Sequence, residues 1–342
     1  MSDQTRLERL RHIGWRGDLP EVPVARVVAQ HRAGYEVHDG DQVLAAQPAG
    51  EFLKRGLDPS LRPSVGDFVE LEPGHPPTIV RVLPRRSALT RAAAGERYER
   101  QIIATNVDAV LVLTGLDNDF NPRRIERYLS LVEGSGAQPV VVLTKADKGD
   151  GIDPRVDALR ERLPDTAPIL AVNAKDAASV AELHGYLGPG DTAVLVGSSG
   201  VGKSTLTNTL LGEMRMATGA VRGHDSRGRH TTTHRALLRL PSGGCLIDTP
   251  GMRELKLTGE EQLDLFADIE ALAAECRFSD CRHGQEPGCA VQEAMAAGTL
   301  TRERWESYLK LKLERAEQAA AEEARARRVE RRGRPSPRGR RR

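Results

Sequence analysis

Short apolar runs separated by turn residues occupy the first part of the chain. Turn signals such as Asp39-Gly40 and Gly66-Asp67 divide residues 22–91, and no helical period lies between them. The apolar runs are 24–29, 35–37, 43–46, 68–71 and 79–83. Short strands at this spacing predict a small β-barrel of about five strands, of the type common in oligonucleotide-binding proteins (an OB-type barrel).

From residue 107 the pattern changes to compact β-branched runs that alternate with helical stretches. The runs are 107–114, 139–144, 169–172, 192–196 and 245–247. Such runs are typical of a parallel sheet covered on both faces. Asn121-Pro122 and Asp153-Pro154 each place a capping side chain before a proline, which predicts a helix start at each proline. These features predict an α/β domain over residues 96–257.

The remainder of the chain is predicted to be helical and to end in a disordered arm. Helical stretches over 260–275 and from 301 to about 326 flank a cluster of cysteines. The expected organisation is multidomain α/β: an OB-type barrel (1–95), an α/β domain (96–257), a helical domain (258–325) and a basic tail (326–342).

The net charge of the whole chain is uninformative, but the charge of its last residues is not. Lys and Arg number 50 and Asp and Glu 48, which gives a net charge of +2. The last 18 residues, however, hold ten Arg and one Glu, a local charge of +9 that leaves −7 for the rest. This basic arm predicts a polyanionic partner such as RNA. Four arginines at the barrel exit either contact phosphates or lie on a solvated linker: Arg81, Arg85, Arg86 and Arg91.

The sequence has no apolar run of the length that a membrane span needs, and its start has no apolar signal-peptide centre. We therefore expect a cytoplasmic protein without a membrane partner.

A glycine-rich phosphate loop is the strongest chemical signal. The pattern G-x-x-x-x-G-K-[ST] follows the apolar run 192–196 and precedes a helical run. Its residues are Gly197, Ser198, Ser199, Gly200, Val201, Gly202, Lys203 and Ser204, and Thr205 follows in the helix. Backbone N–H groups would turn toward phosphate, Lys203 would reach the β- and γ-phosphates, and Ser204 would ligate Mg²⁺. The alternative is a glycine-rich turn that binds nothing.

Two further strand ends favour guanine as the base. Thr144, Lys145, Ala146 and Asp147 resemble the Asn-Lys-x-Asp motif, in which the carboxylate accepts two hydrogen bonds that guanine offers and adenine does not. Asn173, Ala174 and Lys175 resemble the Ser-Ala-Lys loop that also touches guanine. Thr144 replaces the usual Asn, so we expect the cross-link made by that amide to be lost and nucleotide affinity to be modest.

Asp248 and Gly251 complete the set as a D-x-x-G motif. The Asp would hold Mg²⁺ through water, and the Gly N–H would sense the γ-phosphate. One of three threonines, Thr231, Thr232 or Thr233, would supply another Mg²⁺ ligand. Met252 occupies the position where many GTPases carry a water-orienting Gln, so we expect slow intrinsic hydrolysis and stimulation by a partner, and no catalytic base is assigned.

The order of these motifs is permuted. In an ordinary GTPase the phosphate loop comes first and the guanine motifs last, whereas here Thr144 and Asn173 precede Gly197, which precedes Asp248. The sequence therefore predicts a circularly permuted GTPase domain.

Three cysteines and a histidine lie close together after this domain. Cys276, Cys281, His283 and Cys289 supply three thiolates and an imidazole, the closed tetrahedral set of one structural Zn²⁺ site. The alternative is buried structural cysteines beside a surface histidine. Cys245 lies in a strand and is interpreted as a core residue.

The barrel, the permuted motif order and the zinc spacing together resemble the RsgA (YjeQ) family of circularly permuted GTPases that act in small ribosomal subunit biogenesis. The resemblance covers residues 20–310. It implies GTP hydrolysis to GDP and phosphate stimulated by the small ribosomal subunit, late maturation of that subunit, a barrel that contacts rRNA, nucleotide-coupled release from it, and a cytoplasmic monomer. In many relatives a Trp-His pair follows the D-x-P-G motif, but residues 252–259 carry no histidine.

Two other classes of protein stay open from the residues alone. One is an RNA-binding assembly module whose nucleotide site only stabilises the fold, and the other is a P-loop kinase. Asp147 and the D-x-P-G motif argue against the kinase, as does the lack of a lid for a phosphate acceptor.

Overall fold

The computed structural model describes most of the chain in segments. These are residues 3–31, 33–54, 56–92, 100–117, 119–148, 152–198, 200–214, 235–248, 266–278, 280–284 and 286–302, with 304–306, 308–309, 312–313, 316 and 320. The described residues within 3–91 and 100–248 belong to one compact unit, and those from 266 onward belong to a second. Among these residues no helix is long and apolar enough to cross a bilayer.

The first unit begins with a short helix and a closed five-stranded barrel. The elements are α1 (Asp3–Arg11), β1 (Val24–His31), β2 (Gly34–His38), β3 (Val43–Pro48), β4 (Phe68–Glu72) and β5 (Thr78–Val82). The strands pair in the order β1-β2-β3-β5-β4, and β4 closes the barrel on β1. The neighbours β3 and β5 run parallel and the other pairs antiparallel. The predicted five-stranded OB-type barrel is confirmed.

Alternate side chains of the strands fill the barrel, as the period-2 geometry of a strand requires. Val27, Val37, Val69 and Ile79 are completely buried and pack with Tyr35 in one cluster.

The α/β part of the same unit is built on a mostly parallel sheet. A two-stranded sheet, β6 (Ala88–Ala92) with β7 (Arg100–Thr105), comes first in the chain. The elements that follow are β8 (Ala109–Gly115), α2 (Pro122–Glu133), β9 (Gln138–Thr144), α3 (Ile152–Arg160), β10 (Ile169–Val172), β11 (Thr192–Gly197), α4 (Lys203–Leu211), β12 (Ala236–Arg239) and β13 (Cys245–Asp248). Their sheet order is β10-β9-β8-β11-β13-β12, with β12 antiparallel to β13. The five predicted strands are confirmed, whereas β6, β7 and β12 were not predicted from the sequence.

The two predicted helix starts have different outcomes. Asn121 caps α2, since its side chain accepts a hydrogen bond from the backbone N–H of Arg124 and Pro122 is the first helical residue. The start predicted at Pro154 is wrong, because α3 begins at Ile152 and already includes Asp153. A proline is tolerated within a first turn, where backbone N–H groups have no partner inside the helix.

A strand pair and a buried arginine are among the contacts that join the barrel to the α/β sheet within this unit. Ala29 of β1 pairs with Ala236 of β12, which makes a continuous sheet of 11 strands. Beside this junction Arg26 is fully buried and donates hydrogen bonds to backbone oxygens and to the Thr192 hydroxyl at the start of β11. Burial lowers the pKa of Arg26 to about 10, which still leaves it charged at neutral pH.

Arg81, Arg85 and Arg86 at the barrel exit are engaged in ion pairs, and the side chain of Arg91 lies outside the described part of the chain. Arg85 forms a two-pronged pair with the fully buried Asp67, at 2.7 Å from each carboxylate oxygen. Arg86 pairs with Asp108 at 2.9 Å, and Arg81 pairs with Glu70. Arg85 therefore neither lies on a solvated linker nor is free to contact phosphates. Its role is to hold the barrel together.

The second unit is helical. Its regular helices among the described residues are α5 (Ala267–Ala274) and α6 (Ala290–Ala296), and further helical residues occur between 302 and 320. Ile269, Val291, Trp305 and Tyr308 are buried in this unit. The predicted helical residues 260–265 and the arginine-rich arm lie outside the described residues.

Candidate nucleotide and metal sites

The phosphate loop lies between β11 and α4, as the motif requires. Gly197 ends the strand with φ of 149°, and a Cβ there would come within 2.5 Å of the Leu113 carbonyl oxygen. Gly202 has φ of 110°, a conformation in the left-handed region that favours glycine, and Lys203 begins the helix directly after it. These backbone requirements explain why glycine occupies both positions.

The side chain of Lys203 folds over its own loop. Its Nζ donates to the carbonyl oxygens of Gly197 at 2.7 Å and Ser198 at 2.6 Å. Burial lowers the pKa of Lys203, and the carboxylates of Asp248 and Asp119 partly oppose that shift. The ammonium group is therefore held at the loop, where a phosphate would accept its hydrogen bonds.

Thr144 makes a cross-link to the phosphate loop, although replacement of the usual Asn predicted that this cross-link would be lost. Its Oγ1 donates to the carbonyl oxygen of Val201 in the phosphate loop at 2.6 Å, and the Thr114 carbonyl oxygen lies at 3.3 Å. The expectation was wrong because a hydroxyl on this fully buried strand end reaches the loop without the longer amide. The inference of modest affinity loses its basis.

The rest of the first guanine motif follows β9 in a short turn. Lys145 has φ of 63°, and its Nζ pairs with Asp117 at 2.6 Å. Ala146 and Asp147 lie in a 3₁₀ turn, with Asp147 exposed to solvent.

The second guanine motif meets the same edge of the sheet. The Asn173 side chain accepts from the Lys175 backbone N–H at 3.1 Å, and the Ala174 carbonyl oxygen accepts from Thr209 of α4 at 2.6 Å. A Cβ placed on Gly202 would lie 3.8 Å from Thr144 and 3.9 Å from Ala174. The two guanine motifs, which are far from the phosphate loop in sequence, therefore both lie beside it.

Asp248 ends β13 beside the phosphate loop strand β11 and is 8% exposed. Its carboxylate and the Ser204 hydroxyl are hard oxygen ligands of the kind Mg²⁺ takes. Because Ile247 pairs with Val194 of β11, Asp248 lies at the end of β13 next to the strand that leads into the loop. Both residues therefore fit a Mg²⁺ bound with nucleotide phosphates. Ser199, Gly251 and Met252, and the threonines at 231–233, lie outside the described residues.

The sheet order shows that motifs in permuted chain order still lie side by side. Strands β9 and β10, which carry the guanine motifs, come before β11 in the chain but lie in one parallel sheet with it. All their carboxyl ends therefore meet at one edge, the usual ligand site of open α/β sheets.

Comparison with known proteins agrees with this arrangement. A family model described as RsgA GTPase matches residues 82–258 of the chain. Two curated relatives, both named small ribosomal subunit biogenesis GTPase RsgA, come from Xanthomonas axonopodis pv. citri (strain 306) and Xanthomonas euvesicatoria pv. vesicatoria (strain 85-10). Each is 57% identical over 298 residues, which cover 86% of this chain and 81% of the relative. The chain belongs to the RsgA GTPase family.

Solved structures support the same assignment. The crystal structure of YjeQ from Thermotoga maritima is similar with a TM-score of 0.61 and 29% identity, over 86% of this chain and 98% of that one. YloQ, described as a circularly permuted GTPase, is similar with a TM-score of 0.57 and 26% identity, over 87% and 96%. The predicted permuted GTPase fold and the enzyme class are confirmed.

The metal cluster of this RsgA family member brings its four predicted ligands together. The ligand atoms of Cys276, Cys281, His283 and Cys289 all lie within 4.8 Å of one another. His283 Nδ1 is 3.5 Å from Cys276 Sγ and 3.6 Å from Cys289 Sγ, and these two sulfurs are 3.9 Å apart. Tetrahedral Zn²⁺ with ordinary bond lengths requires edges of roughly 3.5 to 3.8 Å. The residues therefore fit zinc.

The chain around the ligands is shaped for this cluster. Cys289 precedes α6 as its N-cap, and His283 has φ of 57°. The Glu286 carboxylate accepts from the backbone N–H groups of Arg282 at 3.1 Å and Gly284 at 2.7 Å, which closes the loop that carries His283. The Trp305 ring packs edge-on against the imidazole, with centroids 5.3 Å apart. Cys245 is fully buried in β13, as predicted for a core residue.

Sequence reasoning missed two aspartates of the nucleotide site. Asp117 contacts Lys145, and Asp119 accepts from the Ser198 hydroxyl at 2.6 Å. Both follow β8, the strand next to β11. Their place at the carboxyl end of a predicted parallel strand was the signal that could have found them.

Proposed function

We propose that this GTPase acts in late maturation of the small ribosomal subunit, hydrolysing GTP to GDP and phosphate with stimulation by that subunit. The observation that carries the proposal is the 57% identity, over 86% of the chain, to relatives named small ribosomal subunit biogenesis GTPases. The alternatives of an RNA-binding module and a kinase are disfavoured by membership in a GTPase family.

The residues of the site have separable roles in this proposal. The Asp147 carboxylate accepts from the ring N–H and the amino group of guanine, and the stem of Lys145 lies along the base. Asn173, Ala174 and Lys175 form the second wall of the base site. Thr144 ties this end of the site to the phosphate loop through its bond to Val201.

The phosphate end is formed by the glycine-rich loop. Its backbone N–H groups, the N-terminus of α4 and the ammonium group of Lys203 stabilise the negative charge of the phosphates. Ser204 and Asp248 would hold Mg²⁺, which when bound neutralises charge on the β- and γ-phosphates. Gly251 would sense the γ-phosphate through its N–H. Met252 has no group that orients water, so the stimulating subunit completes the machinery.

The other parts of the chain serve binding. We assign one structural Zn²⁺ to Cys276, Cys281, His283 and Cys289, because their spacing fits a tetrahedral site. The chain is divided into a barrel (1–95), a permuted GTPase domain (96–257), a helical zinc domain (258–325) and a basic tail (326–342). We assign rRNA contacts to the barrel and to the basic tail. We infer a cytoplasmic monomer that leaves rRNA when its nucleotide state changes.

Phosphate release from GTP measured with isolated small or large ribosomal subunits tests the proposal. We expect small subunits, but not large subunits, to increase the rate of phosphate release. Lys203→Ala should abolish this increase. A rate indifferent to both subunits would support the assembly-module alternative, and equal competition by ATP and GTP would support a kinase.

A further inference from the structure

The connection between β8 and α2 lies across the nucleotide site. Its described residues are Leu116, Asp117, Asp119, Phe120 and Asn121. The Leu116 backbone N–H donates to the Thr144 carbonyl oxygen at 2.9 Å, and the Leu116 carbonyl oxygen accepts from Arg155 at 2.7 Å. The connection is therefore anchored to the guanine-motif strand and to α3.

One carboxylate of this connection holds the guanine-motif lysine. Lys145 Nζ lies 2.6 Å from Asp117 Oδ2, and the Lys145 side chain is only 23% exposed. The hydrogen bond from Lys145 lowers the pKa of Asp117 below its usual range, so this carboxylate stays charged at neutral pH. A side chain at Gly115 would collide with this pair, since its Cβ would come within 2.5 Å of Asp117 Oδ1.

The second carboxylate holds the phosphate loop. Asp119 Oδ2 accepts from the Ser198 hydroxyl at 2.6 Å, a short charge-assisted hydrogen bond. Arg124 pairs with the other oxygen at 2.7 Å and offsets the negative charge that would otherwise face the phosphates. Asp119 can therefore fix Ser198 without repelling the ligand strongly.

We propose that Asp117 and Asp119 are positioning residues for the nucleotide. Asp117 orients Lys145 at the base, and Asp119 orients Ser198 at the phosphates. Because they lie two positions apart on one anchored connection, they fix the guanine end of the site relative to the phosphate end. Neither residue belongs to the phosphate loop, the guanine motifs or the D-x-x-G motif. The inference rests on the proposed GTP site.

Double-mutant cycles on GDP affinity test this assignment. Each immobilised side chain is worth roughly fivefold in affinity, so Asp119→Ala and Ser198→Ala should each weaken GDP binding about fivefold. If Asp119 acts through Ser198, the double variant should bind as Ser198→Ala does. Asp117→Ala should likewise add nothing in a Lys145→Ala background.

Further variants separate positioning from folding. Asp119→Asn keeps an oxygen acceptor for Ser198 and should recover most of the GDP affinity. If Asp119→Ala does not fold, Asp119→Asn takes its place in the test. Asp157→Ala, which removes an exposed helix-surface pair with Arg160, should leave GDP affinity unchanged. In GTP turnover with small subunits, Asp119→Ala should raise KM and leave kcat unchanged, as loss of uniform binding does.

Two outcomes would overturn the inference: unchanged GDP affinity in Asp119→Ala, or effects that multiply in full in both double variants. Failure of the proposed GTP site itself has a different signature. In that case Lys203→Ala would bind GDP as tightly as the unaltered protein.

Discussion

The nucleotide site lies at the ends of parallel strands, two of which are buried along their whole length, whereas the metal ligands of the second unit lie on loops between short helices. Every residue of β8 and β11 is buried, and both strands lead directly into the loops that form the nucleotide site. The metal ligands, by contrast, follow α5 or precede α6, helices of eight and seven residues. The first site is therefore organised by its core, and the second should depend on its metal for folding energy.

Removal of the metal should break the second unit alone. Structural zinc contributes about 10 kcal/mol to the folding of small domains, more than a short helical unit can lose. The chain has two tryptophans, so in Trp15→Phe the emission reports only on buried Trp305 beside His283. Chelation should shift this emission to the red and leave GDP affinity unchanged.

A matched pair of cysteine variants controls that experiment. Cys276→Ser should lose the bound zinc, whereas Cys245→Ala, which changes a buried cysteine outside the cluster, should retain one zinc per chain. Emission that does not respond to chelation would mean that the second unit folds without metal.

Substitution of Arg26 should damage the first unit alone. Its guanidinium donates to the carbonyl oxygens of Ile13, Gly66 and Asn106 and to the Thr192 hydroxyl. Arg26→Met removes a donor from each of these buried acceptors, although the Gly66 oxygen keeps a hydrogen bond from the Asn106 amide. The loss should lower the free energy of unfolding by about 3 kcal/mol. Urea unfolding followed by Trp15 emission in Trp305→Phe measures the loss.

The exposed arginine of α3 offers the comparison for Arg26. Arg160→Ala should not move the urea midpoint, because Arg160 and Asp157 are both exposed. Equal midpoints for Arg26→Met and the unaltered protein would show that the junction contributes little stability. In both variants we expect the zinc content to stay the same.

The features predicted from the sequence depend on nearby residues, whereas contacts between residues far apart in the chain were not predicted. The phosphate loop, the zinc spacing and the five barrel strands depend on residue types at fixed short spacings, and the structure places them as the patterns indicated. Arg26 was not predicted, because its partners lie up to 166 positions away and no pattern marks a buried arginine. Thr144 was misread for a related reason: its acceptor, Val201, is 57 residues further along the chain.

A smaller effect tests whether the first site depends on its hydrogen bonds as well as its core. Thr144→Val keeps the shape but removes the hydroxyl that donates to Val201. A net hydrogen bond is worth about 1 kcal/mol, so GDP affinity should fall about fivefold. Thr144→Ser keeps the donor and should bind nearly as the unaltered protein does; equal affinity of the Val variant would show that the cross-link is dispensable. Titration with a fluorescent GDP analogue measures all three.

The base preference of Asp147→Asn tests the central claim, a guanine-nucleotide site built from motifs in permuted order, most directly. Xanthine carries a carbonyl where guanine carries its amino group, so an Asn amide can donate to it while accepting from the ring N–H. The account predicts that this variant loses affinity for GDP and gains it for xanthosine diphosphate, measured by competition titration. Unchanged preference for GDP would contradict the assignment of Asp147 to the base.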